Sequence, residues 1–237
     1  MSELKFSDFI TFEKAPYEKL DTKSNIEVYM RGAKEKEKVY GSKFTTMFIK
    51  YALMAVSNQI GRKTPEDIKT LDQLKEYLIS ISDKLRIPAY SLVIWAQLVT
   101  DKKLEGSLER GTQLMYRGIA KSLLESEDES ESPLKENADQ ILAKQRKLAI
   151  DIKIAPLEFG YKKNVDGSVD ILHRGCFFFE GCQMSWEQGL LRRLDSRIMC
   201  GASMFICEFL KMGTGYEWDH AILEFDKSYC LVTCFPI

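Results

Sequence analysis

The residue types able to do chemistry in this chain crowd towards one end. Its six cysteines are Cys176, Cys182, Cys200, Cys207, Cys230 and Cys234, its two histidines are His173 and His220, and neither type occurs before residue 173. Cysteine and histidine together raise zinc first. Zinc sites are usually built on close pairs, two cysteines flanking two residues. Here five residues separate Cys176 from Cys182, six separate Cys200 from Cys207, and three separate Cys230 from Cys234. Cys200 and Cys207 would share one helix face two turns apart, too far to chelate one ion alone. Cys230 and Cys234 would share one face of a strand. Free cysteine is among the most buried residue types. Core packing is therefore the leading expectation, with a folded-in zinc site and redox or acylation chemistry as alternatives.

Nucleophilic catalysis needs a thiol or hydroxyl beside a base. Asp219 and His220 are adjacent, and neighbours on a strand point to opposite faces, so they form no dyad by themselves. A Cys-dependent hydrolase would have to draw Cys200 or Cys230 together with His173 or His220 across a sheet. Gly213 and Gly215 follow an apolar helical run, the wrong order for a dinucleotide site, and read as a helix C-cap. No serine elbow or kinase-type phosphate loop occurs.

Apolar and aromatic density is the stronger signal in this region. Phe177, Phe178, Phe179, Trp186, Met199, Met204, Phe205, Phe209, Met212, Trp218 and Phe225 fall among the thiols. Packing accounts for much of this. Pockets for small apolar ligands are lined in the same way, and methionine adapts to irregular ligands. The candidate lining is Cys200, Met204, Phe205 and Cys207 on one helix, with Phe177, Trp186 and Trp218 nearby.

The elements that must position these residues follow from periodicity. Residues 1–33 hold Phe6, Phe9, Ile10, Phe12 and Tyr17 and read as a strap that docks by its aromatic side chains. From about Ala33 to Ile60, Phe44, Met47, Phe48, Tyr51 and Ala55 recur at helical steps, and Gly61 ends the run. Lys34, Lys36 and Lys38 alternate with Glu35 and Glu37, the pattern of a solvated helix surface. Thr64-Pro65 reads as the cap of a second helix carrying Leu71, Leu74, Leu78, Ile81 and Leu85, stopped at Arg86-Ile87-Pro88. Ala89 to Thr100 is apolar nearly all round, as a buried central helix is. Over 104–124 a further helix carries Leu104, Gly111 and Gly118 seven apart, a narrow stripe that admits another helix closely.

Residues 126–133 are acidic, rich in serine and without an apolar side chain, as a solvated linker is. A short helix is expected over Leu134 to Leu148. The period then changes to two, with Ile150, Ile152 and Ile154, then Leu157, Phe159 and Tyr161, in an extended run. Turn chemistry at 164–168 joins this to Val169, Ile171 and His173 in a hairpin. A helix over 198–212 and a second hairpin, Trp218–Glu224 with Ser228–Phe235, complete the chain. The expected class is α+β: a helical N-terminal half on an antiparallel hairpin, helix, hairpin region. The expected divisions are 1–33, 34–125, 126–133 and 134–237.

Composition sets limits. With 45% hydrophobic and 29% charged residues the chain can bury an ordinary core. A formal net charge of −1 argues against a surface built wholly for nucleic acid. The longest apolar stretches, Tyr90–Val99 and Ile49–Val56, fall well short of the roughly 20 residues a bilayer demands. The first residues include Glu3 and Asp8 and lack an apolar run, unlike a secretory signal. A cytoplasmic location is therefore expected, where cysteines remain thiols.

From about residue 149 the order of elements resembles the domain shared by the 4-vinyl-reductase (hydrocarbon-binding) family and the small subunits of the vesicle-tethering transport protein particle, TRAPP. The residues that carry it are Cys200-Gly201 with Glu208 seven further on, and Tyr229-Cys230-Leu231-Val232. Phe205 stands where the TRAPP-like helix has another glycine. Alignment on Cys230 puts Ile222 and Asp219 where the family's metal-binding members have a cysteine and a glutamate. No cofactor is therefore expected, with zinc only an alternative. The resemblance implies a homodimer, or pairing with a related subunit through helices. It also implies a small apolar ligand or acyl chain under the Cys-Gly helix, in a sensor or scaffold rather than a catalyst. A tethering-complex scaffold without ligand and a Cys-dependent hydrolase are the alternatives.

Overall fold

Three of the helices start where the side chain of Asp21, Thr70 or Asn137 satisfies a free N–H group of the first turn. The computed structural model describes residues 6–17, 21–106, 109–124, 137–176 and 178–237. Phe177 and the acidic segment 126–133 lie outside these. The described residues divide into two units, one of helices (21–124 with 178–196) and one built around a sheet (6–17, 137–176 and 197–237).

In the helical unit, α1 (Thr22–Ile60) begins inside the stretch assigned no element, because Asp21 accepts the backbone N–H of Ser24 at 3.0 Å. It is interrupted at Gly41, whose φ of 63° and ψ of −158° suit glycine alone, and it ends at left-handed Gly61. Its second half buries Phe44, Phe48, Ala52 and Val56 at four-residue steps. Met47, Tyr51 and Ala55, expected on that face, stand at its margin. Next, α2 (Leu71–Ile81) buries the expected Leu71, Leu74, Leu78 and Ile81. Its cap is Thr70 rather than Thr64-Pro65. Thr70 and Gln73 each accept a backbone N–H of the other, a reciprocal box directly before the first buried leucine. The next helix, α3 (Ala89–Glu105), is buried nearly all round as expected and touches α1, α4 (Glu109–Leu124) and α6 (Phe179–Glu187). No periodicity in the sequence marks α6, which opens at Phe179 directly after the hairpin.

The glycine stripe of α4 serves packing against specific neighbours. A Cβ on Gly111 would lie 2.6 Å from the Asp101 carboxylate, and one on Gly118 would lie 2.5 Å from Cγ of Glu35. Across the same crossing a Cβ on Gly32 would meet the Met115 carbonyl oxygen at 2.6 Å. A backbone oxygen cannot move aside without shifting its helix. Gly32→Ala is therefore expected to destabilise the protein by about 1–3 kcal/mol in urea unfolding, although alanine gains about 1 kcal/mol in helix propensity. Unchanged stability would mean that α1 and α4 cross less closely.

The expectation that Lys36 belongs to a solvated surface is corrected. Lys36 is fully buried, its ammonium paired with the equally buried Asp101 and lying 4.9 Å from the centre of the Phe44 ring. The alternation of charge at 34–38 is real on the outer positions, where Lys34 and Lys38 are exposed. Lys36 instead points inward because α3 carries a carboxylate to receive it.

The second unit opens with β1 (Ile10–Thr11). Phe12 follows and packs its ring 5.5 Å from both Phe159 and Tyr161. Here α5 (Ala138–Asp151) is capped by Asn137 and runs through the start of the supposed alternation at 150–154. The chain then turns at Lys153, φ 56°. Five alternating residues were too few to outweigh a capped helix approaching from upstream. The hairpin of β2 (Glu158–Lys163) and β3 (Val169–Arg174) follows, then α7 (Gly201–Thr214), then β4 (Trp218–Phe225) and β5 (Tyr229–Pro236). The second hairpin falls as expected, and the first does so without its expected start at 150–154. The five strands are antiparallel in the order β1-β2-β3-β5-β4, so the chain is α+β. Within this unit α5 packs on α7, and α7 lies on β4 and β5. Among the described residues no helix is long and apolar enough to cross a membrane.

Candidate functional site

The sheet register gathers the reactive side chains into one layer. Phe159 on β2 is opposite His173 on β3, which is opposite Cys230 on β5. Nearer the other end Val169, Cys234 and His220 line up across β3, β5 and β4. Directly opposed residues share a face, and this one is interior: His173, His220, Cys230 and Cys234 are all buried. Two cross-strand Cys–His pairs result. A lone alternating pattern can show which residues share a strand face, but the pairing itself depends on register.

On the facing helix, Ser203 to Leu210 are buried without a break. Phe205 and Phe209 meet edge to face at 4.9 Å. Cys200 stands just before α7 as its N-cap, so Cys200 and Cys207 are not two members of one helix face. The Cys200 N–H donates to Nε2 of His220 at 3.0 Å. That bond makes Nε2 an acceptor and leaves the imidazole proton on Nδ1, 3.7 Å from the Asp219 carboxylate. Asp219 in turn receives Arg197 at 2.6 Å. His220 thus ties down the start of α7. Nothing in the sequence flags this, since the bond depends on where the second hairpin passes the helix end.

The electrostatics oppose thiolate chemistry. Burial pushes the Cys200 thiol up, outweighing the Ala202 and Ser203 N–H groups that favour its anion. The neighbouring Cys234 thiol, then burial, raises Cys207 well above the ordinary range. Burial, helped by nearby Cys200, pushes Cys230 up to about 12. Activated cysteines show the reverse shift. From its ordinary value of 9.0 to about 12, Cys230 loses thiolate by roughly a thousandfold. Iodoacetamide at mildly alkaline pH is expected to alkylate Cys230 in the folded protein at least about a hundredfold slower than in urea. A folded-state rate close to that in urea would put the thiol in solvent.

Among the described residues, no group of three or more His, Cys, Asp or Glu side chains could hold a metal ion. The arrangement is a largely apolar interior faced by thiols and imidazoles.

Of the candidate lining, Cys200, Met204, Phe205, Cys207 and Trp218 belong to the sheet-bearing unit. Met204, Phe205 and Cys207 are buried. Trp218 opens β4, and its ring N–H donates to Thr214 at 2.9 Å, at the far end of α7 from Cys200. Trp186 belongs to the helical unit, on α6, and is 39% exposed. Phe177 lies outside the described residues.

Arg146, which carries no sequence signal, and His173, weighed above as a base, complete this interior. Arg146 on α5 is 3% exposed and donates to the carbonyls of Pro156 at 2.7 Å, Glu13 at 2.9 Å and Leu157 at 3.3 Å. Its Nε is buried without a partner. His173 is 2% exposed, meets Phe159 edge-on at 5.3 Å, and has a partner for neither ring nitrogen. Burial, with the Arg146 charge acting in the same direction, pushes His173 down to about 4.

These features define an α+β chain whose sheet-bearing unit carries a buried layer of cysteine and histidine under a central helix. No protein-family model, curated protein or solved structure matches the chain.

Proposed function

We propose that the chain is a non-catalytic binding module, cytoplasmic and dimeric with itself or a related subunit, that holds a small apolar ligand or acyl chain under α7. One observation carries the reading. Ser203 to Leu210 of α7 and the facing His173, Cys230 and Cys234 are buried, and the thiols of Cys200, Cys207 and Cys230 are pushed above their ordinary value, as suits a lining and does not suit a nucleophile. The order helix, hairpin, Cys-Gly helix, hairpin agrees with the resemblance to hydrocarbon-binding and TRAPP-like domains, and those domains give the ligand class and the dimer.

Native mass spectrometry beside a denatured run tests it. Added mass of lipid-like size that is lost on denaturation supports the reading. A dimer without added mass moves the protein to a scaffold without ligand. Added mass that survives denaturation means a covalent adduct, most simply on a cysteine. A bare monomer with a fast-reacting thiol brings the Cys-dependent hydrolase forward.

A further inference from the structure

We propose that the ligand carries a carboxylate, held in the sheet-bearing unit by Arg146 and His173 while its apolar chain runs along α7. This rests on the apolar-ligand reading and adds the chemistry of the ligand's head.

Buried charges are normally paired with an opposite charge. Arg146 is not. Its three hydrogen bonds go to backbone carbonyls, and among the described residues no carboxylate forms an ion pair with it. The guanidinium therefore keeps a full positive charge inside the unit, with Nε still to be satisfied. Burial lowers the guanidinium from its ordinary value, and the phenol of Tyr17, whose anion would oppose this, is itself raised by burial.

Next to this cation stands an imidazole with two unmet nitrogens. Arg146 and His173 approach the same ring, the guanidinium carbon 5.9 Å and the imidazole 5.3 Å from the centre of Phe159. A neutral imidazole offers one N–H and one acceptor. Two unmet donors, one of them charged, match the two oxygens of a carboxylate better than a hydroxyl or an apolar group. His173 also lies opposite Cys230, and the Cys200 thiol at the start of α7 is close enough to raise Cys230. That places the head beside the helix expected to cover the chain. Backbone carbonyls alone would suffice to hold Arg146 as a strut, but they leave Nε and His173 unexplained.

The test is calorimetric titration of the full chain near neutral pH with decanoate, decan-1-ol and acetate. Decanoate is expected to bind at least about tenfold more tightly than decan-1-ol, the difference of roughly one charge-assisted hydrogen bond. Both Arg146→Lys and His173→Leu are expected to erase that preference. Should Arg146→Lys fail to fold, His173→Leu removes no backbone tie and carries the test alone. Equal binding of decanoate and decan-1-ol overturns the carboxylate site and leaves the apolar-ligand reading standing. Binding of neither ten-carbon probe overturns both. Acetate binding as tightly as decanoate overturns a chain-bearing ligand in favour of a bare anion. A preference that survives in both variants places the head elsewhere and overturns the assignment to Arg146 and His173.

Discussion

Asp101→Ala is expected to cost the protein about 3–5 kcal/mol, close to the whole stability of many domains. Lys36 and Asp101 are 0% and 1% exposed as side chains, and Gln97 donates to the second Asp101 oxygen at 3.1 Å. Alanine would leave an ammonium in the core, beside the Phe44 ring, without the carboxylate that balances its charge. The cost reflects the stranded charge more than the worth of the pair. Replacing both at once, Lys36→Met with Asp101→Leu, should therefore recover most of the loss, although the close approach of Gly111 to the carboxylate limits how bulky residue 101 can be. Urea unfolding of the two single variants and the double variant gives the coupling directly. A single variant within about 1 kcal/mol of the parent would show that water reaches the pair.

The second large effect is on pH dependence. His173 has an ordinary value of 6.5 and is held at about 4 in the folded chain, so between those values the unfolded chain binds a proton that the folded one refuses. Stability then falls as pH falls through this window, by about 3 kcal/mol in all, and the contribution is fully present above 6.5. The groups facing the imidazole are Arg146 from α5, Phe159 from β2 and Cys230 from β5, of which Arg146 opposes protonation. Carboxyls held low by Lys, Tyr or Ser neighbours, such as Asp72, Asp139, Asp166 and Asp226, act below their ordinary 3.8. They do not overlap the histidine window. Denaturation midpoints taken between about pH 4 and 7 should show the loss in the parent and a flat line in His173→Leu. A flat line in the parent would mean that the imidazole is solvated or takes up its proton inside.

Much of the fold can be read in the sequence because it rests on local signals. The 164–168 turn between alternating strands, the break at 225–228, the all-round apolar α3 and the glycine ends at Gly61 and Gly215 each need only a few neighbours to act. Where the reading went astray, a distant residue decided. Lys36 looks solvated until Asp101 appears on another helix. Thr64-Pro65 is a good cap on its own, yet Thr70 with Gln73 stands next to the leucines. Ile150 to Ile154 alternate, but Asn137 had already started a helix that reaches them. The site follows the same division. Periodicity places Cys230 and Cys234 on one strand face, whereas their pairing with His173 and His220 needs the register of two hairpins. Arg146 carries no sequence signal at all, since its role rests on three carbonyls brought in from elsewhere.

The pairing of Ile10 with Tyr161 bears on the order in which this chain can mature. At ordinary synthesis rates of about 5–20 residues per second, β1 waits on the order of 10–30 s for β2 to be made. Of the helices between them, α1 to α4 pack on one another and can do so meanwhile, whereas α6, which α3 touches, and α7, on which α5 packs, are made later still. Contacts so far apart in sequence form slowly. The aromatic segment around Phe6, Phe9 and Phe12 therefore stays without its partner strand for that interval, a stretch of nascent chain that a chaperone would protect.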